Sequence, residues 1–173
     1  AFEILEQDIH PNNSHSPPIN MVTDFIGFLI RAETLGCSVN SDHWATASSL
    51  IKRLFPEPGL SFVDAHAAIA LAKNGESERL SRYRVLHTGF AHCHVSHITH
   101  AFQAYVDADW QLVINHLSPL LLKHAQLGGS RAQRDLLETV NAQCLVRLNK
   151  PGEAMSGKMQ RRSKISNRVF GLN

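Results

Sequence analysis

The spacing of apolar residues along this chain leaves little choice of secondary structure. They recur at every third or fourth position through most of the sequence, and no stretch of useful length alternates apolar and polar residues. The clearest segment is expected to begin with a cap at Asp109 and to continue to the glycines at 128 and 129. Its apolar positions are Trp110, Val113, Ile114, Leu117 and Leu121. The pattern predicts an all-α fold of seven or eight helices joined by short connections.

Capping and breaking residues predict where the other helices begin and end. The first long helix stops at Gly36, and Ser41 or Asp42 caps the next one. A third helix runs from about Ser61 to the Asn-Gly pair at 74–75, and a fourth restarts just after it. Two more helices follow in the second half of the chain.

The first of these two helices is predicted between Phe90 and Val106. The second opens with Ser130 and Gln133, which form an S-x-x-Q capping box. Both carry apolar residues on one face, so we expect them to pack against the earlier helices.

The chain divides into three parts on composition. Residues 1–18 carry one short apolar patch followed by three prolines that forbid a continuous helix, and we interpret them as a linker. Residues 19–155 form the helical domain. Residues 156–173 form a basic tail, with five basic and no acidic residues from Lys158 to Arg168. We interpret the tail as a solvated chain end, and contact with nucleic acid or an anionic membrane is the alternative.

Charge and cysteine usage exclude several classes of protein. Lys and Arg total 17 against 15 Asp and Glu, and this net charge of +2 does not suit a binder of polyanions such as nucleic acid. No apolar run approaches the roughly 18 residues that a membrane span needs. The three cysteines are widely spaced and form no C-x-x-C pair, which argues against a disulfide framework or a structural zinc site. We therefore expect a cytoplasmic protein.

A short pattern recurs three times: a small residue, an apolar residue, a turn and another apolar residue. The turns fall at 75, 108 and 149, so the intervals of 33 and 41 residues lie near the 34-residue period of tetratricopeptide repeats. Small residues allow paired helices to approach closely, and each pair buries its second face only against the next pair. The recurrence predicts stacked antiparallel helix pairs, a TPR-like α-solenoid.

Three strings of residues carry a family resemblance. They are Phe28–Gly36 followed by Trp44, then Phe62–Ala70, and Leu127–Asp135, which is the most specific of the three. In this order and spacing the chain resembles the tetratricopeptide repeat protein 38 family over residues 19–155, and looks like the C-terminal half of a longer protein. The resemblance implies a solenoid of helix pairs and no established enzymatic activity.

A non-catalytic scaffold that binds a protein or peptide segment is therefore the function we expect, with no cofactor. A repeat groove contacts its ligand through exposed side chains on the first helix of each pair. The candidate contact residues are His66, Lys73, His97, His100, Gln103, Asn141 and Arg147.

The histidines between 87 and 100 suggest a different function. His94, His97 and His100 are three residues apart on one helix face, a spacing that suits ligands of zinc or another divalent transition metal. A metal-binding protein or metal-dependent enzyme is the alternative function. Hydrogen-bonding histidines on a polar helix face explain the same spacing without a metal.

The start of the last long helix is a candidate anion site. Free N–H groups at a helix N-terminus attract phosphate or carboxylate, and Ser130, Arg131 and Arg134 surround this one. The structural alternative is a capped helix whose arginines pair with neighbouring groups. No P-loop motif is present, so nucleotide binding of that kind is not expected.

Overall fold

The computed structural model describes residues 2–85 and 90–156, apart from the side chains of Phe2, Ala132 and Gln133. Within these residues all regular structure is helical, as the apolar spacing predicts. The α-helices are α1 (Phe2–Ile4), α2 (Pro18–Thr34), α3 (Ser41–Leu54), α4 (Ser61–Lys73), α5 (Ser77–Arg84), α6 (His92–Val106), α7 (Trp110–Leu117) and α8 (Arg131–Arg147). A π-helix (Leu5–Ile9) continues α1, two 3-10 turns (Ser118–Leu120 and His124–Leu127) join α7 to α8, and 151–156 is also helical.

Helices α2 and α3 form the first hairpin. Helix α2 ends at Thr34, and Gly36 adopts a φ of +86°, a left-handed conformation that glycine reaches at little cost, which confirms the predicted stop. The cap of α3 is Asn40, whose side chain accepts a hydrogen bond from the Asp42 N–H at 3.0 Å. The predicted cap at Ser41 or Asp42 was wrong, because both residues already lie inside the helix.

Helix α4 occupies the centre of the fold. Its sequence is apolar or small on every face rather than along one stripe, and all residues from 63 to 72 are buried. It contacts α2, α3, α5 and α6. Alanine at half of these buried positions lets the surrounding helices approach α4 from several sides at once.

Helix α7 is shorter than the sequence pattern predicts. The predicted cap is present, because the Asp109 carboxylate accepts a hydrogen bond from the Leu112 N–H at 3.0 Å. The helix nevertheless ends at Leu117, and the chain passes into 3-10 turns. Pro119 has no N–H to donate to the preceding turn, so the prediction of one helix up to the paired glycines was wrong. Leu121 is still buried, which explains why its spacing resembled a helix.

The N-terminal segment differs from the predicted linker. Residues 2–9 are helical, and the Leu5 side chain is fully buried against α2. Glu6 Oε1 also lies 2.9 Å from His43 Nε2 on α3. A short apolar patch is enough to dock this segment because Leu5 completes the core. The prolines break the chain only afterwards, and Pro18 starts α2, since proline is tolerated at the first helical position.

Consecutive helices pack against one another in chain order. Helix α2 contacts α3 and α4, α4 contacts α5 and α6, and α6 contacts α7, which contacts α8. Helix α8 also contacts α2, so the last long helix returns to the first. The buried apolar side chains form one continuous cluster from Leu5 to Cys144. The ends of several helices are consequently close together, and sites can draw residues from three or four of them.

Some predictions fall outside the described residues. His87 belongs to 86–89, the basic tail is almost wholly within 157–173, and the Gln133 half of the capping box has no described side chain. No helix among the described residues is long and apolar enough to cross a membrane.

Candidate functional site

Two of the predicted contact residues are buried. His66 on α4 is 4% exposed, its Nδ1 donates to the Phe62 carbonyl at 2.8 Å, and burial lowers its pKa to about 4. Asn141 on α8 is 3% exposed and accepts a hydrogen bond from the Ser118 hydroxyl at 3.1 Å. Neither side chain is accessible to a partner. The structure corrects the prediction at both positions, because these faces of α4 and α8 point into the helix array.

Lys73, at the end of α4, is held by three other helices. Its ammonium group donates to Glu33 on α2 and lies 5.6 Å from the ring centroids of both Trp44 on α3 and Tyr105 on α6. Burial and the nearby Glu33 carboxylate raise the pKa of Tyr105 to about 12. The positive charge of Lys73 is thus satisfied within the fold, and the residue acts as a clamp between helices rather than as an open contact.

Arg147 and Gln103 remain on the surface. The Arg147 guanidinium lies 4.7 Å from the Trp110 ring centroid, and Trp110 meets Tyr105 edge to face with the centroids 5.5 Å apart. Among the described residues Arg147 has no hydrogen-bond or ion-pair partner. Gln103 Nε2 donates to Asp107 Oδ2 at 3.2 Å on the same exposed face of α6. Arg147 and Trp110 thus place a cation against an aromatic ring at the junction of α7 and α8.

Three imidazoles meet between α6 and α7. His97 Nδ1 lies 3.3 Å from His116 Nδ1, and the His100 ring stacks on His116 with the centroids 5.1 Å apart and the planes at 18°. His100 Nδ1 donates to the Ser96 carbonyl at 2.9 Å. Burial and the two neighbouring histidines lower the pKa of His116, which favours the neutral form of this residue. The sequence predicted two of these three histidines.

His94 does not join this cluster as a ligand. It is 6% exposed, and its Nδ1 lies 3.1 Å from the Cys93 sulfur. Burial, together with Lys123 and His97, lowers the pKa of His94. In the described part of the chain, His94, His97 and His100 do not bring three ligand atoms within 4.8 Å of one another. The predicted three-histidine set is corrected, because successive spacings of three residues place His94 and His100 about 9 Å apart along the helix axis.

The arginines at the start of α8 have partners in the chain. Arg134 Nη1 donates to the Gly129 carbonyl, and Arg131 Nε lies 4.0 Å from Asp135 Oδ2 one turn along the helix. The Ser130 carbonyl accepts the first backbone hydrogen bond of the helix, from the Arg134 N–H at 3.1 Å. These contacts match one part of the structural alternative, in which the arginines pair with neighbouring groups, and the cap by Ser130 and Gln133 stays a prediction.

A mixed group of ligand atoms lies beside the same helix. His124, Asp135 and Glu138 place one ligand atom each within 4.8 Å of the others, and Glu138 is 8% exposed. Asp135 and Glu138 are three residues apart and share a face of α8, a signal present in the sequence. His124 comes from a separate 3-10 turn, so its place in the group could not be read from spacing.

Sequence reasoning missed the residues that other helices contribute to each cluster. His116 lies on the helix after His100, and Glu33 and Trp44 reach Lys73 from two earlier helices. Periodicity identifies which residues share a face, but it does not say which faces meet. Comparisons of the chain with protein-family models, with curated proteins and with solved structures find no match. The site is therefore interpreted from its own geometry.

Proposed function

We propose that this protein is a non-catalytic, TPR-like helical scaffold that binds a segment of another protein. The observation that carries the proposal is the Arg147 guanidinium on the face of Trp110, exposed at the junction of α7 and α8. Tryptophan and arginine are the residues most enriched among those that dominate binding energy at protein interfaces.

The order of helix contacts supports the scaffold part of the proposal. Helices α2, α4 and α6 each pack against the helix that follows them in the chain. Helix α2 also packs against α4, and α4 packs against α6. Stacked pairs of this kind present the exposed sides of successive helices as one surface. The contact of α8 with α2 makes the stack compact, so the binding surface lies at the edge that includes α6, α7 and α8.

The chemistry of that edge favours an acidic segment. A guanidinium stacked on an indole keeps its planar N–H fork directed outward, where it can donate two parallel hydrogen bonds to one carboxylate. Arg147 has no acidic partner among the described residues, whereas Lys73 is already paired with Glu33.

The test uses the intact chain with a photo-cross-linking residue at position 146, which is exposed and adjoins Arg147, and two charge reversals. Arg147→Glu is expected to abolish cross-linking to the partner, because it replaces the carboxylate-binding group with a like charge. Lys150→Glu is the matched control: it makes the same change in net charge three residues away, at a side chain paired with Glu153 at 3.8 Å on the surface. Equal loss in both variants, or equal retention, would contradict a role for Arg147.

Three parts of this picture stay predictions. They are the resemblance to the tetratricopeptide repeat protein 38 family, the cytoplasmic location and the protein or peptide nature of the partner. For the alternative function, metal binding by the histidines of α6, the histidines that the structure brings together differ from the predicted set.

A further inference from the structure

The histidine cluster of His97, His100 and His116 joins two helices that the chain connects by a short turn. His97 is exposed, and the other two are half-buried in the seam between α6 and α7. Within the cluster the Nδ1 atoms of His97 and His116 approach each other, and the His100 ring stacks on His116. Imidazole nitrogen suits zinc, copper and nickel.

We propose that His97 and His116 bind one divalent transition metal through their Nδ1 atoms, with His100 positioning the His116 ring. The metal ties α6 to α7, and solvent fills the remaining coordination positions. This inference does not depend on the proposed binding function, because its residues, His97, His100 and His116, are none of those on which the binding proposal rests.

The distance between the two nitrogens carries the proposal. Two nitrogens that bind one tetrahedral zinc at about 2.0–2.1 Å lie about 3.3–3.4 Å from each other. The Nδ1 atoms of His97 and His116 are 3.3 Å apart. The same contact is an N–H···N hydrogen bond between the two rings, and a metal would replace the proton that lies between them. The pair therefore already has the N···N separation that a shared metal requires.

The environment of His100 explains its separate role. Its Nδ1–H donates to the Ser96 carbonyl at 2.9 Å, which fixes the ring on α6. The fixed ring then stacks on His116 and holds it in the orientation that faces His97. Contacts of this kind around metal-binding histidines typically change metal affinity by about 10–100-fold when they are removed.

The first experiment measures binding of nickel chloride and zinc chloride to the full-length chain, purified without a histidine tag, by titration calorimetry near pH 7.5. We expect one ion per chain. His97→Ala and His116→Ala should each weaken affinity at least about tenfold, because the remaining imidazole loses the advantage of chelation. The double variant should be no worse than either single one. Additive losses would show that the two residues do not share an ion.

Two control variants separate this site from the rest of the chain. His15→Ala removes an exposed histidine of the N-terminal segment and should leave affinity unchanged. Asp135→Asn weakens the other potential metal group, His124, Asp135 and Glu138. If Asp135→Asn abolishes binding while His97→Ala does not, the ion occupies that group and the proposal is overturned. Absence of any stoichiometric binding to the wild-type chain overturns it as well.

His100 is tested by a pair of substitutions. His100→Ala should weaken binding because the His116 ring loses its stacking partner, whereas His100→Phe keeps an aromatic plane and should restore most of the affinity. Electron paramagnetic resonance of the copper(II) complex should show two coordinated nitrogens in the wild type and in His100→Phe. Three nitrogens in the wild type, with equal loss in both variants, would make His100 a ligand and refute the positioning role. Circular dichroism of each variant shows whether it folds.

Discussion

Replacing Lys73 with methionine should loosen the end of the fold where four helices meet. The lysine extends from α4 to Glu33 on α2, to Trp44 on α3 and to Tyr105 on α6. Methionine keeps the apolar stem and removes only the charge, so the change isolates the electrostatic contacts. It also leaves the Glu33 carboxylate without its cation, and Oε2 of that group is already buried without a hydrogen-bond partner.

The contacts give a magnitude for this loss. Each ring centroid is 5.6 Å from the ammonium, near the outer limit of about 6 Å, so each cation–π contact contributes about 0.5 kcal/mol. The ion pair is 17% and 25% exposed, between a surface pair and a buried one, and contributes about 1 kcal/mol. Lys73→Met should therefore destabilise the fold by about 2 kcal/mol, which lowers the melting temperature by roughly 4–8 °C in a domain of this size.

Urea unfolding of the wild type, Lys73→Met, Glu33→Gln and the double variant measures both the total and the pairwise part. The double-mutant cycle should give a coupling energy of about 1 kcal/mol between the two residues. Lys150→Met is the matched control at an exposed ion pair and should change stability by less than about 0.5 kcal/mol. A coupling energy of zero, with Lys73→Met as stable as Lys150→Met, would refute the role of Lys73 as a clamp between helices.

Two further predictions concern backbone strain and pH. Gly129→Ala should destabilise the fold by about 2–4 kcal/mol, because Gly129 has a φ of +75° and an added Cβ would lie 2.3 Å from Phe62 Cε2. Gly152→Ala, with nothing within 4 Å, should be neutral or stabilising in the same urea experiment. The buried His66 has its pKa lowered to about 4, so the unfolded chain binds its proton more readily and stability falls as pH falls from about 6.5 towards 4. Between about pH 7.5 and 5.5 this residue should account for about 1 kcal/mol of that loss, and His66→Leu should remove this part of the slope; equal slopes in both proteins would contradict it.

The helical fold could be predicted because it depends on local information. The spacing of apolar residues and the breakers at Gly36 and at 74–75 define the helices directly, and α4 was found at the predicted position. The errors occurred where one residue overrides a periodic pattern. Pro119 ends α7 although Leu121 keeps the helical spacing, and Leu5 docks a segment that the prolines after it marked as a linker.

The candidate site was less predictable because it depends on which helix faces meet. The sequence placed His97 and His100 on one face of α6, but the third imidazole comes from α7 and His94 turns into the core. Burial also decides the outcome for another predicted contact residue, because neighbouring helices enclose His66. Long-range packing decides these outcomes, and no short pattern in this chain encodes it.

The two cations Lys73 and Arg147 support placing the proposed binding surface at the junction of α7 and α8. Both were nominated as exposed side chains on the first helix of a pair, and both lie against aromatic rings. Lys73 also has an acidic partner on another helix, so the fold itself uses its charge. Arg147 lies against the Trp110 ring but has no acidic partner among the described residues. A carboxylate from a partner would therefore supply for Arg147 what Glu33 supplies for Lys73.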